Sequence, residues 1–167
     1  MNSDQFLKNL LHGTKRLVIL GVGSRHKADD AAGVMISEYL WEKFRDYNCR
    51  NLKIIIGETA PENYTSEIKK FKPDHLIVID ATDLKGEPGS LMLIDPQTIC
   101  GVSFSSHMLP LNIMLGYIQK ETDCKITILG IQVADVTYGN QVTDAISKAI
   151  DEISSMLEKE ILKKFVK

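Results

Sequence analysis

Three side chains of the kinds that bind divalent transition metals stand close to predicted strands and helices: Asp30, Asp80 and His107. Asp30 follows the first predicted strand, Asp80 ends the third, and His107 precedes a helix. Two carboxylates and one imidazole form a facial ligand set that leaves coordination positions open for other ligands. Because Mg²⁺ prefers oxygen throughout, the imidazole favours nickel, zinc or iron-like ions. The residue types therefore predict a contact site for a divalent transition metal.

Each of the three residues also has a simpler interpretation, which the sequence leaves open. Asp30 suits the first turn of a helix, where the helix dipole stabilises a carboxylate. Asp80 suits the end of a strand, where it would accept hydrogen bonds from loop amides. A lone histidine beside serine and proline, such as His107, suits a structural role in a loop. Only the joint placement of the three favours a metal.

The elements that must position these residues follow an alternating pattern. Short runs rich in β-branched residues predict four strands, and the segments between them have helical periodicity. The predicted strands are 16–21, 52–57, 75–80 and 125–130, and the predicted helices are 30–44, 62–71, 109–118 and 143–165. A turn-rich loop at 83–89 precedes an extra strand at 90–94, which we expect to be antiparallel at an edge.

This alternation predicts an α/β fold, a three-layer α/β/α sandwich around a mostly parallel sheet, of phosphorylase/hydrolase-like architecture. We expect one domain over residues 1–167, with a helical extension at 1–14. Ligands of such sheets bind outside the carboxyl ends of the strands, which is where the acidic residues lie. We further expect Trp41 to join the buried face of its helix and Thr143 to cap the last one.

Composition excludes several classes of protein. The 20 basic and 22 acidic residues give a formal charge of -2, which argues against nucleic-acid binding. No apolar run approaches the ~18 residues that a membrane span needs, and the first residues do not resemble a signal peptide. Three scattered cysteines, Cys49, Cys100 and Cys124, match neither a disulfide framework nor a metal motif. We therefore expect a cytoplasmic protein without membrane insertion.

The glycine pair Gly21 and Gly23 raises the question of a dinucleotide-binding oxidoreductase. The third glycine of the G-x-G-x-x-G fingerprint is absent, since His26 stands in its place, and a tight turn explains the pair equally well. No phosphate-binding G-x-x-x-x-G-K-[ST] loop and no G-x-S-x-G nucleophile motif occurs. The sequence therefore favours an activity without a serine or cysteine nucleophile.

Several short segments, in the same order, resemble the hydrogenase maturation endopeptidases, which process the large subunits of NiFe hydrogenases. The resemblance is strongest to the branch that serves group-4-like, energy-converting or formate-linked hydrogenases. The segments are 20–24, 28–34, 59–63, 79–83, 89–95, 106–111 and 129–132. Each is short, but together they span most of the chain and are specific to that family.

The resemblance implies an enzyme that removes a C-terminal extension from the large-subunit precursor after nickel insertion. It assigns Asp30, Asp80 and His107 to nickel recognition, with Asp30 and Asp80 as the catalytic pair. In that family the nickel belongs to the substrate, so no tightly bound cofactor is expected, although zinc or cadmium could occupy the same ligands. The expected substrate-binding residues are Gly57, Glu58, Thr59 and Ser106.

The sequence departs from the family pattern after its first two strands. Ser24 replaces the usual asparagine, Ala31 replaces a glycine, and 56–58 reads Ile-Gly-Glu where the family has Asp-Gly-Gly. Glu58 lies close enough in sequence to offer a substitute carboxylate. These departures motivate an alternative hypothesis, in which the protein is a non-cleaving docking module that senses nickel during hydrogenase assembly.

Overall fold

The computed structural model describes residues 9–96 and 108–166. The strands and helices predicted between residues 16 and 165 are present, with boundaries that move by a few residues. The strands are β1 Leu17–Val22, β2 Leu52–Glu58, β3 His75–Thr82, β4 Leu91–Ile94 and β5 Lys125–Gln132. The helices are α1 Ala32–Phe44, α2 Thr65–Phe71, α3 Met108–Thr122 and α4 Asp144–Phe165. Short 3-10 turns at Ala28–Ala31 and Pro61–Tyr64 precede α1 and α2.

The five strands form one sheet in the order β2-β1-β3-β5-β4. All neighbours are parallel except β4, which pairs antiparallel with β5 at the edge. This arrangement confirms the predicted α/β sandwich and its antiparallel edge strand. After β1 the chain adds β2 on one side and β3 on the other, so the strand order reverses between β1 and β3. Open α/β sheets bind ligands at such a switch point.

Two apolar clusters hold the layers together because successive side chains of a strand point to opposite faces. Leu17 and Ile19 of β1 pack with α1 and α4, whereas Val18 and Leu20 pack with α2 and α3. All four side chains are fully buried. The sheet is therefore covered on both faces, as its nearly continuous apolar strands predicted.

Two details of the helices differ from the sequence prediction. Val34, Ile36 and Leu40 are buried as expected, but Trp41 is 43% exposed because it lies beside Leu40, off the apolar stripe of α1. Residues 1–8 of the expected helical extension lie outside the described residues, whereas Leu10 and Leu11 are buried in the α1 and α4 cluster. The single-domain assignment stays a prediction. Within 9–96 and 108–166, no helix is both long and apolar enough to cross a membrane.

Glycines let the start of α1 approach the carboxyl ends of β1 and β3. A Cβ at Gly33 would lie 2.2 Å from the carbonyl oxygen of Ile79 and 2.4 Å from that of Val22. A Cβ at Gly21 would lie 2.1 Å from the hydroxyl of Ser37. Since backbone atoms would have to move, only glycine fits at Gly33. This contact fixes the segment before α1 against the switch point of the sheet.

We expect Gly33→Ala to destabilise the protein by roughly 1–3 kcal/mol or more, because the new methyl group overlaps two carbonyl oxygens. The matched control is Gly116→Ala on α3, where a Cβ would meet no atom within 4 Å. In an exposed helix that change should stabilise by about 0.5–1 kcal/mol. Urea unfolding measures both, and equal shifts in the two variants would contradict the close approach.

Candidate functional site

The loop after β1 folds back so that Asp30 is buried at the sheet edge. Gly23 adopts φ +137°, and a Cβ there would lie 1.9 Å from the carbonyl oxygen of Asp30. The backbone amide of Ser24 donates a 2.8 Å hydrogen bond to Asp30 Oδ2. Asp30 is only 4% exposed. The two glycines of the G-x-G pair are therefore accounted for by close packing at Ser37 and at Asp30.

Asp80, which lies near the carboxyl end of β3, is the second buried carboxylate. It is 1% exposed, and its Oδ2 has no hydrogen-bond partner among the described residues. Burial, together with the negative charge of Asp30, raises the pKa of Asp80 to about 8, although a backbone hydrogen bond from Ala81 opposes the shift. The charge of Asp30 therefore acts on Asp80, so the two side chains are neighbours, whereas their recognition of nickel stays a prediction.

Two buried carboxylates in this arrangement favour a cation or a shared proton. Both carboxyl groups have lost their hydration, so ionising both is unfavourable unless a positive group is present, and without one Asp80 keeps its proton. A divalent cation would turn that repulsion into attraction and would supply the partner that Asp80 Oδ2 lacks. The oxygen donors that the structure describes therefore fit contact with a metal ion.

Asp29, the other member of the acidic pair, has a structural role that the sequence analysis did not identify. Its Oδ2 accepts 2.8 Å hydrogen bonds from the amides of Ala134 and Asp135, and its Oδ1 accepts one from the amide of Thr143. The Thr143 hydroxyl also donates to Asp29, at 3.1 Å. Thr143 occupies the N-cap position of α4 as expected, but its hydroxyl donates to Asp29 and makes no side-chain capping bond. Asp29 joins the segment before α1 to the start of α4.

The third member of the predicted metal site lies outside the described residues, as does Ser106. Within 9–96 and 108–166, no group of three or more His, Cys, Asp or Glu side chains could hold a metal ion. The buried His75 does not substitute for His107. It begins β3 at the opposite end of the sheet, between the hydroxyls of Thr14 and Thr127, and burial lowers its pKa to about 4.

A cleft of about 440 Å³ opens at the carboxyl end of β2. It contains the three described residues that were expected to bind substrate, Gly57, Glu58 and Thr59. The other lining residues are Arg25, Ile56, Ala60, Asn63 and Tyr64. The backbone amide of Gly23 donates to the carbonyl oxygen of Glu58 at 3.0 Å, which joins the cleft directly to the Asp30 loop.

Arg25 forms ion pairs at the mouth of this cleft. Its Nε lies 2.8 Å from Glu58 Oε1 and its Nη2 lies 2.6 Å from Glu38 Oε1. These two partners raise the pKa of Arg25 above its already high value. Glu58 has φ +50°, and its side chain is about half exposed. The carboxylate at position 58 is therefore oriented by a cation on the Asp30 loop.

Comparison with known proteins identifies relatives of the chain. The family model described as hydrogenase maturation protease matches residues 34–163. The hydrogenase 3 maturation protease of Escherichia coli K12 is 32% identical over 142 residues, which are 84% of this chain and 88% of that protein. The crystal structure of a NiFe hydrogenase maturation protease, HycI from Thermococcus kodakarensis, superposes with a TM-score of 0.85 at 30% identity. That match covers 95% of this chain and 99% of HycI.

The hydrogenase maturating endopeptidase HybD of Escherichia coli shows the same fold at lower similarity. It superposes with a TM-score of 0.73 at 23% identity and covers 91% of this chain and 95% of its own. At that identity the match supports the architecture alone.

The buried pair makes stability depend on pH. Asp80 stays protonated in the folded chain up to about pH 8 but ionises near pH 3.8 when unfolded. Between these values the folded state binds the extra proton, so the free energy of unfolding falls as pH rises, by up to ~1.4 kcal/mol per pH unit. Asp80→Asn removes this contribution, so its stability relative to the parent should increase from pH 5 to pH 8.

Urea unfolding at pH 5, 6.5 and 8 measures this difference. Asp151→Asn is the control, because Asp151 is an exposed carboxylate on α4. A stability difference between Asp80→Asn and the parent that stays constant over this range would contradict the raised pKa.

Neighbouring acids should respond differently to the same substitution. Asp29→Asn disrupts bonds to both the loop after β5 and Thr143, and we expect a loss of about 2–4 kcal/mol. Asp30→Asn retains an oxygen that can accept the bond from Ser24, so we expect a loss below about 1 kcal/mol. Urea unfolding measures both, and equal losses would show that Asp29 is not the structural member of the pair.

Proposed function

Because the chain belongs to the hydrogenase maturation protease family of peptidases, we propose that it removes a C-terminal extension from the large-subunit precursor of a NiFe hydrogenase. Cleavage would follow nickel insertion and take place in the cytoplasm. The observation that carries this proposal is the buried Asp80 Oδ2, which has no partner among the described residues and lies beside a second buried carboxylate.

Asp30, Asp80 and His107 would recognise nickel that the precursor already carries. Nickel is part of the substrate in this proposal, and zinc or cadmium could bind the same ligands in its absence. A precursor without nickel would offer no cation to the two carboxyl groups, so Asp80 Oδ2 would gain no partner when that precursor binds. The electrostatics of the site therefore couple cleavage to the completion of metal insertion.

The cleft at the end of β2 would hold the peptide next to the scissile bond. Gly57, Glu58, Thr59 and Ser106 are the residues that we assign to this contact. The nickel ion could polarise the scissile carbonyl or activate a water molecule, so no covalent nucleophile is required. Among the described cysteines, Cys124 is buried, which raises its thiol pKa and makes a nucleophilic role unfavourable.

A second candidate function is a nickel-sensing module that docks on the precursor without cleaving it. The observation in its favour is the ion pair between Arg25 and Glu58. Family members carry an acid at position 56, where this chain has Ile56, and Glu58 is the carboxylate that could replace that acid. Because Glu58 is already paired with Arg25, it is less available for catalysis. A cleavage assay separates the two functions, since only the protease reduces the mass of the precursor.

We expect the purified protein to cleave nickel-loaded precursor and to leave nickel-free precursor intact, as measured by the mass of the product. Asp30→Asn and Asp80→Asn should each lower the rate at least ~100-fold, because each removes a charge that favours the dication. Asp151→Asn is the matched control on an exposed surface and should cleave at the parental rate.

Serine- and cysteine-directed inhibitors should have no effect on this reaction. Equal cleavage of nickel-loaded and nickel-free precursor, or full activity of Asp80→Asn, would show that the two aspartates do not recognise nickel. Binding of precursor without any change in its mass would favour the docking module.

A further inference from the structure

The outer edge of β2 presents backbone groups that no described strand uses. The amide of Leu17 donates to the carbonyl oxygen of Asn51 at 2.9 Å, and Leu17 is opposite Leu52 in the register. In a parallel ladder the residues that bond to the neighbouring strand alternate. Lys53 therefore faces β1, and the N–H and C=O groups of Ile54 and Ile56 point away from it. Among the described residues, β1 is the only strand that pairs with β2.

An apolar groove lies along this edge, on the face of the sheet that carries α1. Leu52, Ile54 and Ile56 share that face, since alternate side chains of a strand point the same way. Leu52 and Ile54 are only partly buried, and they pack against the cluster that includes α1. Trp41 and Tyr47, which are 43% and 47% exposed, lie beside them. We name these five residues the β2 groove.

Each end of the β2 groove opens into a cavity. At the start of β2 a cavity of about 180 Å³ is lined by Trp41, Tyr47, Leu52 and Ile54, together with Phe44, Arg45 and Cys49. At the end of β2, Ile56 lines the cleft of about 440 Å³ that contains Glu58. Ile56 is four positions after Leu52, which is a span of about 13 Å along a strand.

We propose that the β2 groove binds an extended segment of the protein substrate, which adds to the sheet as a sixth strand beside β2. This inference rests on the proposed function, because the substrate is the precursor that carries the scissile bond. Main-chain hydrogen bonds to Ile54 and Ile56 would supply affinity, as in other cases of strand addition. Side chains about four residues apart would enter the two cavities and supply selectivity.

Continuity with the site identifies the occupant as substrate. β2 ends at Glu58, whose carbonyl oxygen accepts the amide of Gly23, and Ser24 next to it donates to Asp30. A strand along the β2 groove would therefore extend into the cleft and on toward the buried carboxylates. The guanidinium of Arg45 lies 5.3 Å from the ring centroid of Trp41, so the smaller cavity presents both an aromatic ring and a cation to the side chain that enters it.

The opposite edge of the sheet does not have this continuity. β4 also exposes apolar side chains, with Met92 at 49% and Leu93 at 41%. It runs antiparallel to β5, from Leu91 opposite Ile131 to Ile94 opposite Ile128, and so leads away from the carboxyl edge. Met92 therefore provides a matched control for exposed apolar residues on an edge strand.

Steady-state cleavage of nickel-loaded precursor tests the groove. Ile54→Pro removes an outward N–H that β1 does not use, and proline is tolerated on such an edge. We expect it to raise KM at least tenfold beyond Ile54→Ala, with kcat changed less than twofold. Trp41→Ala should also raise KM, and Met92→Ala should leave both constants unchanged. Parental KM in both Ile54→Pro and Trp41→Ala would overturn the proposal.

Amide hydrogen exchange of the parent protein with nickel-free precursor gives a second readout that does not depend on cleavage or on a proline variant. We expect exchange at Ile54 and Ile56 to slow at least tenfold, while the amide of Leu93, which the register of β4 points away from β5, is unaffected. Unchanged exchange at Ile54 and Ile56 under saturating precursor would overturn the proposal. Slowed exchange in a protein that never cleaves its precursor would support the groove and reject the proposed protease function.

Sedimentation of the protein without precursor tests the other possible occupant of the edge, which is a second copy of the chain. A dimer whose formation slows exchange at Ile54 and Ile56, and which Ile54→Pro dissociates, would assign the edge to a second copy of the chain and overturn the proposal. A monomer with rapid exchange at these two amides supports a free edge that the substrate occupies.

Discussion

The architecture of the site depends on the burial of two neighbouring carboxyl groups at the point where the strand order of the sheet reverses. The start of α1 reaches the ends of β1 and β3 because Gly21, Gly23 and Gly33 have no side chain at the points of contact. This approach places Asp30 and Asp80 in a region that water does not hydrate. Packing energy from two apolar clusters compensates for this unfavourable arrangement, which explains why the site is built on rigid strands and not on a loop alone.

The fold was predictable because its signals are local and repeated. Each buried strand appears as a short apolar run, and the helices between the strands have clear periodicity. The type of each element and its order along the chain could therefore be assigned from the sequence. Position Trp41 shows the limit of that approach. Helical periodicity defines a stripe, but whether a residue at its margin is covered depends on the neighbouring strand, and among the described residues β2 is the last strand on that side.

The candidate site was only partly predictable for a related reason. Asp80 was identified from its position at a strand end, yet the large rise of its pKa depends on burial and on Asp30, which are tertiary properties. Asp29 and Asp30 are adjacent and have identical side chains, so the sequence does not distinguish their roles. Only the fold shows that Asp29 accepts hydrogen bonds from the segment before α4, whereas Asp30 faces Asp80. Glu58 was noted from its place in the motif, but its ion pair with Arg25 involves a residue 33 positions earlier, which no local pattern reveals.

The hydrogen bonds of Asp29 have a consequence for the order of events during synthesis. The groups that satisfy this carboxylate, at residues 134, 135 and 143, are translated after all five strands. A nascent chain that still lacks them would have to bury a charge without partners, which is unfavourable by several kcal/mol. The adjoining residue, Asp30, therefore acquires its buried position only after residues 134–143 have been synthesised and have folded against Asp29.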